Sequence, residues 1–145
     1  MNRRATASHE AGHFYFFLRA GIPVKVAVSS ASGGRVLTNA SDAELHSDEY
    51  RQAILAGPVT EVEFFSHVNA PQPSVQALEE KWNHDLEFLG MSVEDILKMD
   101  RAFVIEAWSK ISAVADVLDF GYAIVPRTVL LQTELSFIFD KAAQR

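Results

Sequence analysis

Arg3-Arg4-Ala5-Thr6-Ala7-Ser8-His9-Glu10-Ala11-Gly12-His13-Phe14-Tyr15-Phe16-Phe17-Leu18-Arg19-Ala20 is the stretch on which the fold turns. It reads as one helix over residues 3–20, ended by Gly21-Ile22-Pro23. Phe14 to Leu18 are apolar on nearly every side of that helix, which predicts burial on more than one face. A helix buried on several faces needs other elements around it. Val24-Lys25-Val26-Ala27-Val28 alternates like a strand, Ser32-Gly33-Gly34 supplies a turn, and Arg35-Val36-Leu37-Thr38 returns as a second strand. A lone hairpin is marginal, so this one must pack on helices.

The remainder reads as helical. One helix is expected from about 42 to 67, and Gly57-Pro58 is the point at which it can break, because proline fits a first turn better than an interior. Ala70-Pro71-Gln72-Pro73 is a loop. Ser74 caps the next helix, which Gly90 closes, and Ser92-Val93-Glu94-Asp95 forms a capping box for a helix over roughly 93–119. Pro126 starts a last helix through about 141. The fold class is therefore α+β, mainly helical with a small β-sheet, in a single domain over residues 1–145.

Composition narrows the chemistry. The 145 residues are 48% hydrophobic, enough for one core without staples. There is no cysteine, so a disulfide scaffold and a thiolate metal site are both excluded. The net charge of -6 argues against nucleic acid as a partner. No signal sequence and no bilayer-spanning run is present, so neither a membrane partner nor secretion is expected and the location is cytoplasmic.

His9 and His13 are four residues apart, which on a helix places both imidazoles on one face, within reach of one ion. Glu10 is rotated by about a hundred degrees from His9. It is poorly placed as a ligand to the same ion and well placed to hold a water beside it. This is the logic of the H-E-x-x-H zinc peptidase motif, with two histidine ligands and Glu10 as general base. Gly12 costs about 1 kcal/mol inside a helix, and close approach of another backbone accounts for it.

A catalytic zinc usually has a third protein ligand. His46, His67, His84, Asp85, Glu61 and Glu63 are the candidates. Leu78, Trp82, Asp85 and Leu89 fall on one helical stripe, so phase favours Asp85 over His84. An ordinary ion pair is an equally good account of a carboxylate there. Glu61 and Glu63 are candidates to accept a hydrogen bond from a ligand histidine's free N–H. Residues 33–38 offer a sheet edge on which a peptide strand can add, or simply a capped edge. The aromatic run at 14–17 reads as core rather than substrate pocket.

His9-Glu10-Ala11-Gly12-His13, the hairpin with Gly33-Gly34, Leu55-Ala56-Gly57-Pro58-Val59-Thr60-Glu61, Asn83-His84-Asp85-Leu86 and Gly90-Met91-Ser92 follow one another in an order that resembles the peptidase domain of the FtsH-type ATP-dependent zinc metalloproteases. The resemblance runs over nearly the whole chain. It implies a Zn2+ cofactor held by His9, His13 and Asp85, with Glu61 matching a family glutamate. Pro58-Val59-Thr60 and His84 depart from the family pattern. The chain begins a turn or two before His9, so the family's membrane anchor and ATPase module are not expected in it. The function implied is that of a hydrolase, a zinc endopeptidase acting on flexible or unfolded polypeptides, alone or with a separate ATPase or regulatory protein. The alternative is a zinc-containing module of the same fold that binds a partner and cuts nothing.

Overall fold

The side chain of Asn2 accepts the Ala5 N–H at 2.9 Å and so caps the first helix, α1, which runs Arg3–Arg19. The structure, a computed structural model, describes residues 2–126 and the backbone of 128–131. The elements that follow α1 are β1 (Val24–Ser30), β2 (Gly33–Thr38), α2 (Asp42–Leu45), α3 (Asp48–His67), α4 (Val75–Lys81), α5 (Asn83–Leu89), α6 (Val93–Lys98), α7 (Ala102–Glu106), α8 (Trp108–Asp119), β3 (Tyr122–Val125) and β4 (Thr128–Leu131). The class is α+β and mainly helical. No helix among the described residues is long and apolar enough to cross a membrane.

α1 is the centre of the molecule. It packs against α3, α8, β1 and β2, and Phe14, Phe16 and Phe17 are buried in the core with Ile22, Leu78, Trp82, Ile96 and Ile111. Side chains of this size contribute about 1.5–3 kcal/mol each when fully buried. α3 lies antiparallel to α1, with Glu61 beside His9 and Ala53 beside His13.

The sheet has four antiparallel strands in the order β2-β1-β3-β4. β1 and β2 form the expected hairpin, with Ser30 opposite Gly33, so the strand begins at Gly33 and the turn lies before it. Among the described residues β2 is an edge strand. β4 stands where the helix expected from Pro126 would start, and β3, just before it, was not expected. Val125 pairs with Thr128, so Pro126 belongs to a tight connection, and the β-branched residues Ile124, Val125, Thr128 and Val129 favour strand over helix. The rest of that expected helix lies outside the described residues.

Four other expectations are corrected. The helix over 42–67 is two, because Ser47 makes a new cap that accepts the Tyr50 N–H. There is no break at Gly57-Pro58: α3 continues through Pro58. An interior proline costs about 3 kcal/mol. Burial of Ala53, Ala56, Val59 and Thr60 beside α1 offsets it. The helix over 93–119 is three, because Met99 turns extended and Asp100 caps Ala102, while Ala107 leaves helical geometry again. The helix after Ser74 likewise divides at Trp82 into α4 and α5.

Candidate metal centre

α1 presents His9 and His13 on the face that meets α3. The first turn of α5 brings Asp85 to the same point. Asp85 Oδ2 lies 2.8 Å from His9 Nε2 and 3.2 Å from His13 Nε2. One ligand atom from each residue lies within 4.8 Å of the others, and this group could hold a metal ion.

Whether the group fits an ion depends on where its lone pairs face. His13 Nδ1–H donates to the Ala53 carbonyl at 2.8 Å, a partner that can only accept. His9 Nδ1–H donates to Glu61 Oε1 at 2.9 Å. Both imidazoles are therefore held with Nδ1 protonated and Nε2 turned toward Asp85. That is how metal-ligating histidines are held, the far nitrogen bonded to a carbonyl or a carboxylate. A second observation points the same way. Glu10 Oε2 is buried beside this group and has no hydrogen-bond partner among the described residues, a costly condition for a carboxylate that a bound water would relieve.

Metal-free, the cluster shifts its own protonation. Burial opposes the His9 imidazolium, but the hydrogen bonds to Asp85 and Glu61 outweigh it and push the pKa up to about 10. His13 moves upward for the same reason: burial opposes its charge and Asp85 overcomes it. Burial pushes the Glu10 carboxyl up, only partly countered by the two histidines. Burial also works against the Asp85 and Glu61 carboxylates, but His13 and His9 hold Asp85, and His9 and Lys81 hold Glu61, below the usual carboxylate range.

Three close approaches shape the centre. A Cβ at Gly57 would sit 2.8 Å from His13 Nδ1 and closer still to Cε1 and Nε2, so the imidazole lies flat on α3 only because residue 57 has no side chain. A Cβ at Gly12 would sit 2.6 Å from the Ala56 carbonyl oxygen and closer to Thr60 Oγ1, which is the backbone approach expected there. A Cβ at Gly34 would sit 2.6 Å from Glu10 Cγ, so β2 passes directly over the Glu10 side chain.

A cleft of about 500 Å³ opens beside the three residues. β2 forms one wall. Phe17, Tyr50 and Ile54 make an apolar flank, and Lys81 and His84 lie on another side. Phe17 thus serves both core and cleft.

The other sequence candidates lie elsewhere. Glu63 is corrected: its Oε2 accepts from Arg101 Nε at 2.9 Å and it touches neither histidine, because two positions along α3 turn it about 200° from Glu61. His46 bonds its own helix at the Asp42 carbonyl, and His67 stacks on Trp108. His84 lines the cleft without joining the group. Gly57, Gly34, Lys81 and Trp82 were not singled out for the site by sequence. The first had a signal in Ala53-Gly57-Glu61, a small-residue stripe at helical spacing that ends on a carboxylate.

The fold and site define a mainly helical α+β protein with two buried histidines and a half-buried aspartate in a group that could hold a metal. Comparison with family models, curated proteins and solved structures found no match to this chain.

Proposed function

We propose that this chain is a zinc-dependent metallopeptidase that hydrolyses extended, unfolded polypeptide, with a centre like that of the FtsH-type peptidases. The observation that carries the reading is the convergence of His9 Nε2, His13 Nε2 and Asp85 Oδ2 at the floor of a cleft, beside a buried Glu10 oxygen with no hydrogen-bond partner among the described residues. Two imidazoles and a carboxylate, with no cysteine in the chain, form a donor set that suits Zn2+ and leaves a fourth position open.

His9, His13 and Asp85 would hold the ion. Zinc, when bound, supplies a Lewis acid that brings the pKa of water to around 7 and polarises a carbonyl. Glu10 takes a proton from the attacking water as the new C–O bond forms. It then delivers that proton to the amide nitrogen as the C–N bond breaks, so one carboxyl serves as base and then as acid. Burial raises its proton affinity, which suits that double role. The edge strand β2 supports an extended substrate by main-chain hydrogen bonds, and the flank of Phe17, Tyr50 and Ile54 receives an apolar side chain.

The test is cleavage of an unfolded substrate by the zinc-loaded protein against Glu10→Gln. The variant is expected to keep its zinc and lose about 10²–10⁴-fold in kcat. Full zinc occupancy without cleavage of any unfolded polypeptide sinks the peptidase reading and leaves a metal-containing binding module.

A further inference from the structure

α5 is only seven residues long and no side chain caps its N-terminus, yet it must deliver Asp85 to two imidazoles on another helix. Its placement rests on α3. At its far end Arg51 Nη2, from α3, donates to the Leu89 carbonyl at 2.7 Å. At its near end the contact is Glu61, also from α3, 1% exposed and surrounded by three donors. His9 Nδ1–H donates to Oε1 at 2.9 Å, Trp82 Nε1–H to the same oxygen at 3.1 Å, and Lys81 Nζ to Oε2 at 3.0 Å. One carboxylate thus joins α1, α3 and the junction of α4 with α5.

We propose that Lys81 and Trp82 are positioning residues for the metal centre: through Glu61 they lock the start of α5, and with it Asp85, to the imidazole of His9. The proposal rests on reading His9, His13 and Asp85 as metal ligands. Trp82 is where the chain leaves α4 and enters α5, at φ -94° and ψ 13°. Asp85 follows three residues later, so a swing of the Trp82 backbone carries the carboxylate with it. The indole is 1% exposed, and its N–H has a buried carboxylate as acceptor rather than water. Lys81 is drawn inward against the habit of lysine, its side chain 18% exposed. If the only need were packing, an apolar residue at 61 would fill the space without the desolvation of two charges. Donors from α1 and from the α4–α5 junction on one α3 carboxylate instead fix the distances between these elements.

Trp82→Phe keeps the ring and removes the donor. Lys81→Met keeps the length and removes the charge, and Lys81→Arg restores a donor. Zinc affinity by chelator competition, the visible spectrum of the cobalt(II)-loaded protein and imidazole ¹⁵N–¹H NMR of the metal-free protein are recorded for each, with thermal unfolding as the check on folding. Trp82→Phe and Lys81→Met are expected to weaken zinc binding about 10- to 100-fold. They should also shift the cobalt spectrum and lose the exchange-protected His9 Nδ1–H signal, with Lys81→Arg recovering most of each. Folded variants with wild-type affinity, spectrum and His9 signal overturn the proposal. A wild-type protein that takes up no zinc ends the metallopeptidase reading, but the His9 signal still decides the hydrogen-bond hub: unchanged in the variants, or absent from the wild type, it refutes the hub as well.

Discussion

Gly57→Ala is the most discriminating single perturbation of the site, because two effects of opposite sign meet in it. Alanine in a helix interior is ordinarily favoured over glycine by about 1 kcal/mol; at residue 57, in the middle of α3, that advantage is reduced because the ring of Pro58 crowds a preceding Cβ. Against this, the added methyl would sit 2.8 Å from His13 Nδ1 and nearer to Nε2, where ordinary contact begins at 3.4 Å. The imidazole must retreat by roughly 1 Å at its ligating end, several times the ±0.2 Å within which metal–ligand distances are held. Overpacking of this kind costs about 1–3 kcal/mol. The expected result is a net loss of up to about 2 kcal/mol in stability and at least about a 10- to 100-fold loss in zinc affinity.

The assay is a double-mutant cycle read by thermal unfolding and by zinc titration against a chelator. In a His13→Ala background the ring is gone, so Gly57→Ala should lose most of its destabilising effect. Absence of that relief, or wild-type zinc affinity in Gly57→Ala alone, would refute the placement of His13 on α3.

Gly34→Ala meets both Glu10 Cγ at 2.6 Å and the Val28 carbonyl oxygen of β1 at 2.8 Å, so it should displace Glu10 and strain the hairpin, lowering kcat about tenfold or more with some loss of stability while zinc affinity stays within a few-fold; equal losses in kcat and affinity would show that β2 supports the metal group itself. Glu63→Gln should leave zinc affinity unchanged and cost under about 1 kcal/mol in a melt, since its partner is the part-exposed Arg101, whereas Glu61→Gln should weaken zinc binding about 10- to 100-fold. The pH dependence has a definite sign. His9 folds with its pKa raised from 6.5 to about 10, so its contribution to metal-free stability is full below pH 6.5 and is lost as pH rises toward 10, at up to about 1.4 kcal/mol per pH unit. Asp85 and Glu61 are shifted down, so their contribution is full above the ordinary carboxylate range and is lost on acidification. Melting temperatures of metal-free protein should therefore fall between pH 7 and 10, while the stabilisation given by added zinc rises over the same interval.

The centre was readable in sequence where periodicity governs and hidden where geometry between elements governs. The four-residue interval of His9 and His13 is a property of one helix, so it survives into the structure whatever packs around it. Asp85 was readable because it shares a stripe with Leu78, Trp82 and Leu89, all of which bury. The kink at Trp82 did not turn that stripe away. Glu61 and Glu63 looked alike because charge and neighbourhood match. Helical phase against Ala53 and Gly57 would have separated them. Lys81 carried no signal: a lysine at a helix C-terminus is an ordinary surface residue until a buried carboxylate lies 3.0 Å away. The sheet was underestimated for a similar reason. β3 and β4 pair with each other and β3 with β1 across most of the chain, and the cue at Pro126 is the same for a helix start as for a tight turn.

Charge balance ties the site together. Glu10, Glu61 and Asp85 bring three carboxylates into the buried cluster, and Lys81 brings one ammonium. Among these described groups, with both imidazoles neutral, the negative charges exceed the positive by two in a low-dielectric interior, which is a severe cost. Two species can neutralise them: two protons shared among His9, His13 and Glu10, all three of which are shifted upward, or one divalent cation. The cluster behaves as one titrating unit, so the protons belong to the group rather than to any one residue. Binding of a divalent ion near neutral pH should therefore expel about two protons. Calorimetric zinc titrations in buffers of different ionisation enthalpy count them directly. Asp85→Asn removes one negative charge and should lower the number by about one. Zinc uptake that releases no protons in the wild-type protein would mean that the ion sits elsewhere.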